Sequence, residues 1–170
     1  MIKTIMGLDP SLSSTGYFVI TETVPVFSGR ITTSKKDGTT EDRIRKILKE
    51  IIRIMDVHQV TEVSCEDGFC GKNSRTSLQL QKLRGAVLGV CFTKNIMFYE
   101  YQPSFIRKVL GVSGNASKEE VADCITQIYP ERCQLIGPYS DKANKNKTSD
   151  IYDAAAAGII RMKVSATGEG

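Results

Sequence analysis

The chain opens on a short apolar run, residues 5–8, that ends in a single acid, Asp9. Pro10 then interrupts the strand, because proline lacks a backbone N–H and fixes its own φ. Small and hydroxyl-bearing residues follow as far as Gly16, and residues 17–20 return to side chains typical of β-strands. The pattern predicts a β-hairpin whose first strand is central and buried, with the carboxylate of Asp9 at the start of its turn.

The rest of the chain alternates strand and helix patterns after a third strand at 24–33, where Pro25 suits a sheet edge. Apolar spacing from Ile44 predicts a helix that begins near Glu41, capped by Thr39 or Thr40. Further strands are predicted at 60–66 and 95–101, and further helices at 76–92, at 103–110, from 117 and over 150–162. A meander followed by β-α-β units predicts an α/β domain over 1–163, with a five-stranded mixed sheet flanked by helices on both faces. Residues 164–170 are expected to form a short flexible tail.

Acidic residues stand at positions where strands and helices meet. Glu66 ends a strand expected to run parallel to the first, which places it at the same sheet edge as Asp9. Asp150 and Asp153 share one helix face, and the small residues 154–158 let that helix lie close to the sheet. Four carboxylates in one small site require a cation or raised pKa values, and oxygen ligands favour Mg²⁺. This predicts a two-metal site for phosphodiester hydrolysis.

Each of these acids also has an ordinary structural explanation. Asp9 would serve as a turn cap, a common role for aspartate. Asp150 and Asp153 stand in the first turn of a helix, where acids interact favourably with the helix dipole. Composition and spacing alone leave these alternatives open.

Charge and cysteine usage narrow the classes of function. The net charge is +4. Without the four candidate site acids, 15 acidic residues remain against 23 basic ones, so the rest of the surface is clearly basic. A basic surface around a small acidic site suits a nuclease, because DNA phosphates are attracted to the surface and cut at the site. Five cysteines with no C-x-x-C pair and one histidine argue against a zinc site. No apolar run approaches the ~18 residues of a membrane span and no signal-peptide pattern opens the chain. We expect a cytoplasmic protein with reduced cysteines and no membrane association.

Six short motifs occur in an order that resembles a known family. They are GLDPSLSSTGY at 7–17, EDGFCGKN at 66–73, RG at 84–85, EY at 100–101, SKE at 117–119 and DIYDAA at 150–155. Together they resemble the RuvC family of Holliday-junction resolvases, within the RNase H-like superfamily. The opening motif alone is also similar to a turn of actin-like phosphotransferases, which would need a second domain and a second phosphate loop.

The resemblance assigns roles to individual residues. It implies that the metal-binding catalytic acids are Asp9, Glu66, Asp150 and Asp153. It implies that Lys118 contacts DNA near the scissile phosphate and acts in catalysis. It further implies DNA contacts from Phe69, to an unpaired base, and from Lys72, Arg75 and either Arg107 or Lys108.

The expected activity is Mg²⁺-dependent resolution of four-way DNA junctions by paired symmetric nicks that leave 5′-phosphates. Two Mg²⁺ ions per site are expected, with Mn²⁺ able to substitute. The alternatives are a less selective nuclease for forks and flaps, or a junction-binding protein that does not cut. Whether a branch-migration motor is a partner and what the 142–147 loop does are left open.

A homodimer is expected because two symmetric nicks need two active sites. The helix at 76–92 is apolar on more than one face, and Gly85 and Gly89 predict that another helix backbone approaches it closely.

Overall fold

The computed structural model describes residues 2–67, 74–130, 136–142 and 147–167. Five strands and five α-helices lie within these ranges. The strands are β1 (Thr4–Asp9), β2 (Ser14–Thr21), β3 (Val24–Thr32), β4 (Glu62–Glu66) and β5 (Met97–Tyr101). The helices are α1 (Thr40–Val57), α2 (Ser74–Thr93), α3 (Pro103–Leu110), α4 (Lys118–Ile128) and α5 (Ser149–Thr167).

The sheet has the strand order β3-β2-β1-β4-β5, so β1 is central, as its apolar run predicts. β1 pairs antiparallel with β2 and parallel with β4, and β4 pairs parallel with β5. β3 is an edge strand, which is where a strand tolerates Pro25. The predicted mixed five-stranded sheet is confirmed.

Helices cover both faces of the sheet, because successive side chains of each strand point to opposite faces. Ile5 of β1 belongs to a core shared with α3, α4 and α5. Its neighbour Met6 belongs to a second core shared with α1 and α2. Both side chains are at most 1% exposed, so neither face of the central strand meets solvent.

Helix α5 lies directly on the backbone of the sheet. A Cβ atom at Gly7 would collide with the carbonyl oxygen of Ala154 and would lie 2.7 Å from the nitrogen of Gly158. A Cβ atom at Gly16 would collide with the carbonyl group of Asp150. This close approach needs glycine on the strands and small residues on the helix, and it fixes the start of α5 over β1 and β2.

Helix α2 buries one face and leaves the other open. Leu83 and Val87 are fully buried under the sheet. Leu78 and Phe92 are 60% and 68% exposed. Apart from the helix's own backbone, no atom of the described chain lies within 4 Å of a Cβ built at Gly85 or Gly89. Within the described part of this chain, no other helix makes the close approach predicted for these glycines.

Several predicted boundaries differ from those observed. The expected tail at 164–170 is helical as far as Thr167, because Val164 faces the core and is only 6% exposed. Helix α1 begins at Thr40 with Thr39 as its cap, and a single 3₁₀ turn, Lys35–Asp37, occupies part of the predicted loop. No helix in the described ranges is both long enough and apolar enough to cross a bilayer.

Candidate active site

Two acids lie side by side at one edge of the sheet. The parallel register pairs Leu8 with Cys65, so the next residues, Asp9 and Glu66, end neighbouring strands. Adjacent strands are about 4.8 Å apart, which brings the two carboxylates to one place. Both residues are partly buried. The turn after Asp9 is closed by Thr15, whose hydroxyl donates to the carbonyl of Ser11 and accepts from its N–H.

Helix α5 supplies two more acids over the same edge. Asp150 lies in its first turn, and Asp153 follows one turn later on the same face. Asp150 is 6% exposed, and its Oδ2 is buried without a hydrogen-bond partner. A buried carboxylate oxygen without a partner is costly, so this atom is suited to a cation.

Two lysines lie against the helical acids. Lys118, the first residue of α4, forms an ion pair with Asp153. The ammonium group of Lys147 lies 2.7 Å from Oδ1 of Asp150. The predicted position of Lys118 at the site is observed. The Lys147 contact was not predicted, because the lysine and asparagine pattern of its loop gives no sign of a contact with the next helix.

Asp9, Glu66 and Asp153 have pKa values raised by burial, and the negative charges of neighbouring acids contribute to each shift. Burial raises the pKa of Asp9 to about 7, and the negative charge of Asp153 adds to this shift. Burial also raises the pKa of Glu66 and of Asp153, and Lys118 opposes both shifts. The four acids form one electrostatic unit that a bound cation would stabilise.

The donor set fits a hard cation such as Mg²⁺, because every ligand candidate is a carboxylate oxygen and one of these oxygens has no partner. As the side chains stand, no three His, Cys, Asp or Glu residues of the described chain converge tightly enough to hold a metal ion. The two lysine contacts give a reason, since each ammonium group draws one helical carboxylate toward itself.

The structure distinguishes the two basic residues of α3. Arg107 lines a cavity of about 40 Å³ together with Glu66, Lys118 and Asp153. Its Nε also donates to the carbonyl of Ala116 at 3.1 Å. Lys108 is exposed and does not line this cavity. Phe69 and Lys72 lie outside the described residues, as does the side chain of Arg75, so their expected DNA contacts stay predictions.

One buried group beside the site has no role in the sequence-based assignment. Arg84 of α2 is 6% exposed and reaches the ends of both β4 and β5. The sequence does carry a sign that this arginine is buried: it directly follows the buried Leu83, among the apolar positions of the helix. Its partners could not be identified from that signal alone.

This chain is similar in sequence to a known protein family over most of its length. Residues 5–136 match the model of the family described as Crossover junction endodeoxyribonuclease RuvC. A protein of that name from Ehrlichia chaffeensis is 33% identical over 140 residues, 81% of this chain and 89% of that protein. One from Chloroherpeton thalassium is 33% identical over 167 residues, 96% of this chain and 86% of that protein.

Two solved structures share the fold. The Thermus thermophilus RuvC complex with a Holliday junction substrate has a TM-score of 0.76 at 19% identity, covering 98% of this chain and 97% of that one. The yeast mitochondrial Holliday junction resolvase Ydc2 has a TM-score of 0.71 at 11% identity, covering 95% and 78%.

Proposed function

The chain belongs to the family of crossover junction endodeoxyribonuclease RuvC, and from this premise we propose that it resolves four-way DNA junctions at the acidic edge of its RNase H-like sheet. Cleavage is metal-dependent hydrolysis of a phosphodiester bond that leaves a 5′-phosphate and a 3′-hydroxyl. The observation that carries the proposal is the meeting of Asp9, Glu66, Asp150 and Asp153, which come from three elements. Burial and the negative charge of neighbouring acids raise the pKa values of Asp9, Glu66 and Asp153.

The four carboxylates are proposed to hold two Mg²⁺ ions, with Mn²⁺ as a substitute. When bound, the ions supply the positive charge that activates a water molecule and offsets charge on the reacting phosphate. Asp9 would be one of the residues that hold the metal, because it lies between Glu66 on the next strand and the acids of α5. The unpartnered Oδ2 of Asp150 supports its role as a ligand.

Basic side chains at the rim are proposed to bind and orient the DNA backbone. Lys118 is 58% exposed, so its ammonium group can leave Asp153 and pair with a phosphate oxygen. Arg107 lines the same small cavity and supplies a second positive charge. Phosphate contacts of this kind fix the register of the DNA, and they stabilise charge that develops during cleavage when they lie beside the reacting phosphate.

Four-way junctions are the proposed substrate, and branched DNA in general is the broader class. The Thermus thermophilus RuvC of similar fold is solved with a Holliday junction substrate. We place this activity inside the cell, where DNA is found and where free thiols such as Cys65 and Cys91 persist.

The test is cleavage of a substrate panel by the purified full chain. Synthetic four-way junctions, forks, flaps and plain duplexes are incubated with Mg²⁺, with Mn²⁺ or with a chelator. We expect paired nicks at symmetric positions of the junction, only with metal, and weak or no cutting of duplex. Equal cutting of forks and flaps would make it a general branched-DNA nuclease, and tight junction binding without any cutting would overturn the enzymatic proposal.

Replacing Lys118 with alanine is expected to slow junction cleavage about a hundredfold while most junction affinity is kept. One phosphate contact among many adds little to binding, whereas a charge beside the reacting phosphate acts mainly in the transition state. Single-turnover rates and gel-shift affinities measure the two effects. Lys49→Ala, an exposed lysine of α1, is the matched control and should leave the rate near wild type. A proportionate loss of binding and rate would make Lys118 an ordinary docking residue.

A homodimer through the open face of α2 is proposed for paired incision. This face carries Leu78, Gly85, Gly89 and Phe92, all of them exposed. Leucine and phenylalanine supply apolar area, and the two glycines leave room for a second helix to approach. A two-fold dimer would place two equivalent sites on one junction, mirroring the symmetry of the substrate.

Gly85→Leu is expected to convert the dimer to the 18.7 kDa monomer, because the added side chain fills the space that a partner helix would occupy. Leucine favours a helix more than glycine does, so monomer folding should not suffer. Gly114→Leu, in open space outside α2, is the control. Light scattering at micromolar concentration measures the mass. A wild-type chain that is monomeric yet resolves junctions would contradict this interface.

A further inference from the structure

A buried arginine links the end of β4 to helix α2. The side chain of Arg84 is 6% exposed. Its Nη1 donates to the backbone carbonyl of Glu66, at 2.9 Å. Glu66 is the last residue of β4, and the chain leaves the sheet one residue later. The arginine therefore contacts the backbone of a proposed metal ligand from α2, which packs on the sheet face opposite to α5.

The same guanidinium group also reaches two acids. Its Nη2 forms an ion pair with Glu100 of β5 and lies 3.5 Å from Oδ1 of Asp67. Asp67 is itself fixed by a 2.8 Å backbone hydrogen bond to Tyr101 and by the side-chain amide of Gln102. The guanidinium group of Arg84 therefore links the ends of β4 and β5 to helix α2.

We propose that Arg84 is a positioning residue that sets where the Glu66 carboxylate lies in the metal site. This inference rests on the proposed role of Glu66 as a ligand. The ladder with β1 ends at the Leu8–Cys65 pair, whereas Glu66 still pairs with Tyr101 of β5. A hydrogen bond from Arg84 to the Glu66 carbonyl further limits how far the residue can rotate. Groups that orient a metal ligand in this way typically affect metal affinity tenfold to a hundredfold.

Arginine is suited to this task where lysine is not. The guanidinium fork donates to a carbonyl and a carboxylate at the same time in a fixed plane. A buried charge needs a counter-charge, and Glu100 supplies it within the same contact. Glu100 thus neutralises the charge of Arg84 within this contact, so the charge of the metal site is set by the ligands themselves.

Arg84 lies beside the face of α2 that is proposed for the dimer. Gly85, the next residue, is exposed on the face proposed for the dimer. The side chain that contacts Glu66 and the surface proposed to receive the partner therefore belong to the same turn of one helix.

The experiment compares Arg84→Lys with Arg161→Lys in the full chain. Arg161 is also 6% exposed, and it pairs at 2.5 Å with Glu62, at the opposite end of β4. Mn²⁺ affinity is measured by calorimetry without DNA, and the Mg²⁺ concentration for half-maximal junction cleavage is measured in parallel. Melting temperatures in chelator report the structural cost of each substitution.

We expect Arg84→Lys to weaken Mn²⁺ binding and raise the half-saturating Mg²⁺ concentration by about tenfold. Arg161→Lys should lower the melting temperature to a similar degree without changing metal affinity. Equal metal affinity in both variants and wild type would overturn the proposal. Junction affinity in chelator should match wild type in both variants.

Two further variants keep the test decisive. Glu100→Gln leaves Arg84 in place but removes its counter-charge at a partly exposed site, so it should fold and show a smaller shift in the same direction. It decides the matter if Arg84→Lys does not fold. Glu66→Gln separates the two proposals: if it keeps full metal affinity, the assignment of Glu66 as a ligand fails, whereas a loss in Glu66→Gln alone overturns only the role of Arg84.

Discussion

Replacing Asp153 with asparagine is expected to abolish junction cleavage, by at least about a thousandfold, while junction binding is kept. The carboxylate lies where α5 crosses the edge of the sheet and forms an ion pair with Lys118. Asparagine keeps the shape but removes the charge that a metal ion requires. The basic surface that binds phosphates is unchanged, so affinity for the junction should persist.

The same substitution should leave the fold intact or make it more stable without metal. The negative charge of Asp153 contributes to the raised pKa of Asp9, so its removal relieves repulsion between the two. Single-turnover cleavage, gel-shift affinity and melting temperature in chelator measure the three effects. Asp123→Asn, an exposed acid of α4, is the matched control. Cleavage by Asp153→Asn within tenfold of wild type, with Mg²⁺ present, would rule out Asp153 as a ligand.

Gly7→Ala is expected to destabilise the protein by about 3 kcal/mol or more, because a single methyl group would push α5 away from β1. The new Cβ atom would meet backbone atoms of Ala154 and Gly158, and backbone cannot move aside as a flexible side chain can. A loss of that size lowers the melting temperature of a chain of this length by about 10 °C. Cleavage should fall with it, since α5 carries two of the four acids.

Gly114→Ala is the control for this substitution, since no neighbouring atom of the described residues lies within 4 Å of a Cβ at that position. Thermal unfolding followed by circular dichroism compares the two. A melting temperature for Gly7→Ala equal to that of wild type would show that α5 can retreat from the sheet at little cost, which contradicts the close docking.

The central part of the fold could be predicted because its pattern is local. A strand of β-formers, a turn of small and hydroxyl residues and a second strand specify the β1–β2 hairpin without reference to the rest of the chain. Ser117 and Glu120 likewise specify the start of α4 as a capping box, which the structure contains. The position of Asp9 beside Glu66 followed from the parallel pairing of their strands.

Other features depend on contacts that a sequence pattern does not encode. Arg84 finds its partners across two strands, and Lys147 finds Asp150 across the end of a loop. The last turn of α5 was predicted as tail because 165–170 are small and polar, whereas Val164 is held by the core. The catalytic roles of the acids, the metal ions and the DNA contacts stay predictions until they are measured.

The position of α5 in the chain decides when the four acids can first meet during synthesis. All five strands precede this helix, so the sheet edge with Asp9 and Glu66 is made before Asp150 and Asp153 leave the ribosome. A partly synthesised chain therefore carries half of the acids over an uncovered sheet face. With Asp150 and Asp153 as the proposed ligands, cutting of DNA becomes possible only after α5 has docked, so a chain that has not yet released α5 lacks the proposed activity.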